Sequence, residues 1–309
     1  MLSLKTFNSL FDMLRAFPDE GSCVLHLERL RWNGVVVSPF VSGSSIYVCS
    51  NHRYKCRLSN RYFTVRSGTM FEGSKVSLQK WFYAIYVVSS HKKGISSHQL
   101  ARDIEVTQKT AWFMLQRIRK AMGHSFYKIL LSGVVEADET FVGGKNKNRH
   151  RDKKVEKCQG RSFKDKTPVF GLLQRGGQLY AKVIKNTSGR SIKPLIHDHV
   201  QHRSVLMSDE WLAYRGLGGF YDHRVIDHGK QQYVDGANYT NTLEGAWSWL
   251  KRMIIGIYHR VSRGYLQFYV HEFVFKYNTR KFRDGYRFNE LLNRCFFRRL
   301  SHKELTNAA

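Results

Sequence analysis

The chain has 309 residues, of which 42% are apolar and 14% aromatic, so it can bury a core and is not a disordered tail. Against 24 Asp and Glu stand 51 Lys and Arg, a formal net charge of +27. That excess excludes an ordinary near-neutral metabolic enzyme as the default and points to a polyanionic partner, most often nucleic acid. At roughly 150 residues per domain, the length suggests about two domains. The longest purely apolar run, Trp81 to Val88, is far short of the roughly 20 residues that span a bilayer, so no membrane partner is expected. The N-terminal stretch lacks the form of a secretory signal. Five scattered cysteines (Cys23, Cys49, Cys56, Cys158, Cys295) imply no disulfide framework, and a cytoplasmic location fits best.

Charge is unevenly placed along the chain. Residues 145–166 hold ten basic and three acidic groups, residues 196–244 four basic and seven acidic, and residues 245–303 thirteen basic and three acidic. An acidic segment therefore lies between two strongly basic ones. In chain order, Leu2, Leu4, Phe7, Leu10, Phe11 and Leu14 recur near helical spacing and predict a short amphipathic helix that stops at Pro18. Residues 31–66, rich in β-branched and turn-forming residues, predict small hairpins. An apolar helix follows over Leu78–Val88, then two shorter helices between Gly94 and Met122, separated by Glu105–Val106–Thr107. Strands are expected at Val134–Val142, Val169–Gln174, Leu179–Lys185 and Val205–Met207, with a hairpin turn at Arg175–Gln178. Helices are expected at 188–202, 242–256 and 264–280. The second half is thus an α/β domain.

The segment 92–122 has the pattern of a helix-turn-helix. Ile95, Leu100 and Ile104 give the first helix an apolar face, Thr107 can cap the second, and Ala111, Leu115 and Ile118 pack back. Gln108, Lys109, Thr110 and Arg117 are then expected to face outward, where a recognition helix meets the major groove. A generic two-helix packing element is the alternative on the same residues.

Three carboxylates stand out. Asp138 lies in VVEADETFVGG, Asp209 follows an apolar strand in SVLMSDEW, and Glu244 opens a helix in TNTLEGAWSWLKR. Carboxylates from two strands and a helix suit divalent cations, because Mg²⁺ takes hard oxygen ligands and two such ions can clamp the attacking and leaving oxygens of phosphoryl transfer. Singly, each also reads as a strand end or helix cap, and Glu244 sits three residues after Asn241 in a capping-box-like arrangement. Lys251, about two helical turns beyond Glu244, shares its face and could contact phosphate. The cluster His197, Asp198, His199 and His202 reads as surface residues.

Five segments, RYKCRLSNRYFTVRSGTMFEGSKVSLQKWFYAIY, GISSHQLARDIEVTQKTAWFMLQRIR, VVEADETFVGGK, MSDEWLAY and TNTLEGAWSWLKRMIIGIYHRVSRGYLQFYVHEFVFKYNTR, together resemble the ISXO-like group of bacterial insertion-sequence DDE transposases. The resemblance runs from about Arg31 to Arg280. It implies an RNase H-like mixed sheet flanked by helices, in which the first strand, the fourth strand and a late helix supply Asp, Asp and Glu. Those positions match Asp138, Asp209 and Glu244, with Lys251 as the helix lysine and supporting roles for Asn241 and His259. It implies two Mg²⁺ ions, with Mn²⁺ as a substitute, and strand cleavage and strand transfer at the ends of the insertion sequence. The implied partners are double-stranded DNA (terminal inverted repeats and target) and a second copy of the chain, as a homodimer or higher assembly at the bacterial nucleoid. The C-terminal basic helices and the loop residues Lys145, Lys147, Arg149, Lys153 and Lys154 would hold phosphates by charge.

The implied organisation is a helical segment (1–30), a degenerate zinc-ribbon-like segment (31–70), a helix-turn-helix region (71–125), the RNase H-like domain (132–285) and a basic tail (286–309). The ribbon departs from the family pattern. Ser38 and Ser42 stand where one cysteine pair belongs, and Ser59 replaces the partner of Cys56. Serine supplies no thiolate, so zinc is not expected, although Cys49 and His52 lie near Cys56. The rival readings are a catalytically silent or domesticated DNA-binding protein using the helix-turn-helix, and a plain nuclease without strand transfer.

Overall fold

The computed structural model describes residues 7–123, 130–143, 150–154, 166–226, 241–297 and 299–307. The chain divides into two compact units, Met1–His124 with Lys281–Ala308, and Ser125–Arg280.

The first unit opens with α1 (Leu10–Ala16), whose start is fixed by Ser9: its hydroxyl accepts from the Asp12 N–H at 3.1 Å. Leu2 and Leu4 of the expected opening helix lie outside the described residues. Next, α2 (Glu20–Trp32) begins at a reciprocal cap between Asp19 and Ser22. Residues 46–63 form a three-stranded antiparallel sheet, β1 (Ile46–Val48), β2 (Tyr54–Cys56) and β3 (Tyr62–Phe63). Its inner face sets Tyr54 and Phe63 against the Trp32 ring at centroid distances of 5.2 and 6.1 Å. The apolar run forms α3 (Leu78–Ser90), almost wholly buried. α4 (Ser97–Asp103) and α5 (Gln108–Gly123) follow, with Thr107 accepting from the Thr110 N–H at 3.2 Å. Ile95, Leu100, Ile104, Ala111, Leu115 and Ile118 are all buried.

The second unit is a mixed α/β layer structure. Its five strands are β4 (Val134–Val142), β5 (Thr167–Gln174), β6 (Leu179–Val183), β7 (Val205–Asp209) and β8 (Asp222–Ile226), in spatial order β6-β5-β4-β7-β8. The β4–β5 and β5–β6 pairs are antiparallel, while the β4–β7 and β7–β8 pairs are parallel. The β5–β6 connection turns at Gly176, whose φ of +70° is left-handed and so favours glycine. α6 (Gly189–His199) joins β6 to β7, and α7 (Asn241–Met253) and α8 (Leu266–Asn278) follow β8.

Strand alternation divides the core between the two sheet faces. Val135, Ala137, Phe170 and Leu172 pack with Ile192 and Ile196 of α6. Val169 and Leu173 pack with Leu243, Trp247 and Leu250 of α7 and Phe273 of α8. Even-numbered residues of β4, including Glu136 and Asp138, therefore face α7. Beyond α7 the chain makes one π-helical turn, Ile254–Tyr258, and leaves it at His259 with φ +56°.

Of the segment expected from the sequence as a basic tail, 286–309, the described residues 286–297 and 299–307 group with the first unit. They contain most of α9 (Asp284–Asn293) and α10 (His302–Asn307). Phe288, Leu291 and Leu292 are fully buried, and Asn289 Oδ1 meets His26 Nε2 at 2.9 Å. An apolar stripe hidden among arginines outweighs the net charge. Among the described residues no helix is long and apolar enough to cross a membrane.

Candidate active site

Two parallel strands and one helix carry the three acids. β4 and β7 pair in register at Val134↔Val205, Val135↔Leu206 and Glu136↔Met207. Asp138 and Asp209 each lie two residues beyond that last pair, on the alternation that faces α7, and the Asp209 charge is felt at Asp138. Asp209 ends its strand, is nearly buried, and accepts from the Trp211 N–H at 3.1 Å. Glu244 lies exposed in the first turn of α7.

The three share one electrostatic neighbourhood. Burial pushes the Asp138 carboxyl up to about 6, and the nearby charges of Asp209 and Glu244 push in the same direction. Hydrogen bonds from the Glu139 backbone and the Trp247 indole oppose the rise without cancelling it. Among the described residues, however, no three acids, histidines or cysteines are grouped closely enough to enclose a metal ion.

α7 is fastened to β4 on both sides of Glu244. One residue before it, the Leu243 N–H donates to Glu136 Oε2 at 2.9 Å. Three residues after it, Trp247 Nε1 donates to Asp138 Oδ2 at 3.0 Å. Gly171, paired with Asp138 across β4 and β5, makes that approach fit, because a Cβ there would stand 2.5 Å from the Trp247 ring. Glu136 is fully buried and accepts from Arg175 Nε at 2.8 Å. Arg175 also reaches Met207 Sδ at 2.9 Å. Glu136, Gly171, Arg175 and Trp247 escaped the sequence reading. The available signals were the alternation that puts Glu136 on the face of Asp138 and the i+3 spacing of Trp247 from Glu244.

The neighbouring acids turn elsewhere. Glu139 accepts from the Tyr214 hydroxyl at 2.6 Å on the α6 face. Lys251 is exposed near the end of α7, and Asn241 forms its start. His259 Nδ1 lies 3.1 Å from the Ile255 carbonyl oxygen. His197 meets the Tyr221 hydroxyl at 3.2 Å, and His199 stacks on Tyr180 at 3.8 Å.

Residues 130–278 match the model of the ISXO2-like transposase domain. A protein of Halobacterium salinarum, described as an uncharacterized protein in transposable element ISH50, is 30% identical over 273 residues, which is 84% of this chain and 91% of that protein. The chain belongs to the ISXO2-like transposase family. Two solved assemblies also match this family member. A simian T-cell lymphotropic virus intasome in complex with PP2A regulatory subunit B56 gamma is 10% identical at a TM-score of 0.29. That match covers 57% of this chain and 63% of the other, less than two thirds of its length. The Mos1 strand transfer complex is 13% identical at a TM-score of 0.25, covering 74% of this chain and 75% of that one. Likeness at that level says nothing about how this family member reacts.

The DNA-contact candidates of this family member divide. Lys109 is exposed at the start of α5, Thr110 is half-buried beside Thr107, and Gln108 donates to Ser97 Oγ at 2.8 Å. Of these, Thr110 borders a cleft of about 950 Å³ that is also lined by Lys75, Lys80 and Thr107. Arg117 does not face outward. It is buried, donating to the carbonyls of Leu300 at 3.1 Å and Met70 at 2.9 Å. Burial lowers its pKa to about 10, with a further push from Arg299. Lys154 is exposed. Lys145, Lys147, Arg149 and the Lys153 side chain lie outside the described residues.

In the three-stranded sheet, Cys56 is ringed by serines, with Ser44 Oγ 3.2 Å from its sulfur. Burial pushes the thiol up, but the hydroxyls of Ser38, Ser44 and Ser59 around the sulfur prevail and bring it to about 6. Ser44 rather than Ser42 completes that ring. Cys49 and His52 point to other partners, the Tyr47 carbonyl and Glu28.

Proposed function

We propose that this family member cleaves DNA at the ends of its own insertion sequence and joins those ends to target DNA, using Asp138, Asp209 and Glu244. The observation that carries the proposal is that Asp138 and Asp209 lie on neighbouring parallel strands, while the Trp247–Asp138 bond fastens beside them the helix that bears Glu244 in its first turn. The spatial strand order, with the first strand central and the fourth beside it, supports an RNase H-like reading of the second unit. The α4–α5 pair, with Thr107 capping the second helix, supports a helix-turn-helix reading of the first. The serine-ringed Cys56 supports a ribbon that has lost its zinc ligands.

The donor set fits a divalent cation. It consists of hard carboxylate oxygens, and Asp138 is a buried carboxylate with Asp209 and Glu244 as further negative neighbours, a charge that a cation would offset. Asp138, Asp209 and Glu244 would hold Mg²⁺, or Mn²⁺ in its place, and a bound cation would neutralise the charge that builds on the phosphate in the transition state. Water attacks the phosphorus at the element end, the P–O3′ bond breaks, and the element keeps a free 3′-OH. That hydroxyl then attacks a target phosphodiester, joining the element to the target 5′-phosphate and releasing a target 3′-OH. Asp138 and Asp209, fixed on adjacent strands, set where the phosphate sits, and Glu244 closes the site from α7. Lys251, Lys154, the basic loop and Lys109 neutralise phosphates, releasing counterions as DNA binds. Two copies of the chain bring two ends together.

The test is incubation of purified protein with DNA carrying the inverted repeats that flank its gene and a target plasmid. With Mg²⁺, nicked ends and joined products are expected, and with EDTA neither. End binding without any cutting in Mg²⁺ would favour the catalytically silent reading, and cutting without joining would favour a nuclease.

A further inference from the structure

Glu136 has the wrong surroundings for a metal ligand. Both of its oxygens are engaged, Oε1 by Arg175 Nε at 2.8 Å and Oε2 by the Leu243 N–H at 2.9 Å, and the side chain is fully buried. A buried carboxylate is costly unless its charge is compensated. Here a guanidinium and a helix N-terminus do so together, since the free N–H groups of a first turn carry partial positive charge.

The position of that bond matters more than its strength. It fixes the N–H of the residue immediately before Glu244, and the Trp247 bond to Asp138 fixes the helix one turn later. Together the two bonds set how far α7 slides along β4 and how it is rotated. Glu244 itself is exposed, so its direction depends on this fastening. Arg175 is in turn held in place: its backbone N–H donates to the Val134 carbonyl at 3.0 Å, and its side chain reaches Met207 Sδ at 2.9 Å on β7. One arginine thus links the Asp138 strand, the Asp209 strand and, through Glu136, the Glu244 helix.

We infer that Glu136, supported by Arg175, is a positioning residue that holds Glu244 in place to complete the cation site with Asp138 and Asp209, without itself binding the cation. The inference rests on the three-acid reading above. It separates two acids two residues apart on one strand: Asp138 toward the ion, and Glu136 toward the helix that brings the third ligand.

Calorimetric titration of the full chain with Mn²⁺ alone, without DNA, tests this as a double-mutant cycle. Removing Glu136 singly would strand a buried arginine, so the comparison background is the paired variant Glu136→Met/Arg175→Met, since apolar replacement of a whole buried ion pair is often tolerated. Thermal unfolding checks that each variant is folded. In the native background, Glu244→Gln should weaken Mn²⁺ binding about tenfold, the scale seen when metal-site contacts are lost. In the paired background the same change should weaken it less than about twofold, while Asp209→Asn should weaken binding equally in both. Glu136→Gln/Arg175→Met, which keeps an acceptor for the Leu243 N–H, should restore most of the Glu244 effect. An equal effect of Glu244→Gln in native and paired backgrounds would overturn the positioning role and leave the three-acid site standing. No effect of Glu244→Gln in the native background would overturn the site itself, and the inference with it.

Discussion

Replacing Asp138 with Asn removes a charge that the fold holds at a cost, so the metal-free protein should become more stable at neutral pH. With a pKa of about 6 in place of the ordinary 3.8, the ionised side chain opposes folding by up to about 3 kcal/mol above pH 6. Asn keeps an oxygen for the Trp247 N–H, now at 3.0 Å, and drops the repulsion from Asp209 and Glu244. The folded state holds this proton more tightly than the unfolded chain, so metal-free stability falls as pH rises from about 4 to about 6 and is flat above that. Thermal unfolding in EDTA at pH 7.5 should place Asp138→Asn up to about 6–12 °C above the native protein, at about 2–4 °C per kcal/mol for a unit of this size. The gap should close near pH 4. Mg²⁺ should raise the native unfolding temperature at pH 7.5 and leave the variant almost unmoved. An Asn variant no more stable than the native protein in EDTA at pH 7.5 would show that ionised Asp138 costs the fold nothing, and that a cation has no buried charge to offset there.

Gly171→Ala should destabilise the second unit by about 1–3 kcal/mol in urea unfolding, since the added methyl would stand 2.5 Å from the Trp247 ring. Lys276→Met should cost about 3–5 kcal/mol by the same assay, because it leaves the buried Glu272 without the ammonium now 2.6 Å away. Arg117→Ala should lower the stability of the first unit by about 1–3 kcal/mol by stranding the Leu300 and Met70 carbonyls. Lys109→Ala, on an exposed residue, should leave stability unchanged and lower the salt dependence of DNA binding by about one counterion.

The elements with strong periodicity were legible in the sequence. β4 matches its expected limits, Val134–Val142, and α3–α5 fall where apolar spacing and the Thr107 cap put them. β8 was not legible, because an edge strand reading Asp222-His-Arg-Val-Ile, with only Ile226 buried, shows no apolar alternation. α9 was missed because Phe288, Leu291 and Leu292 sit among arginines that dominate the composition. Arg117 misled for a related reason. With Ala111, Leu115 and Ile118 packing back, Arg117 was expected outward, but its partners are carbonyls 47 and 183 residues away in the chain. For the candidate site, residue type marked Asp138, Asp209 and Glu244, while their meeting depends on a parallel register between strands about 70 residues apart. The roles of Glu136 and Arg175 needed that register as well, since in the sequence Glu136 is one more acid in EADE and Arg175 one more turn residue.

Whether Asp138, Asp209 and Glu244 form one cation site is decided by anomalous diffraction from crystals of the protein grown with Mn²⁺ and element-end DNA. Manganese peaks are expected within about 2–2.5 Å of carboxylate oxygens of Asp138 and Asp209, with Glu244 completing the ligand set. Manganese bound elsewhere, or at Asp138 with Glu244 turned away from it, would contradict the account.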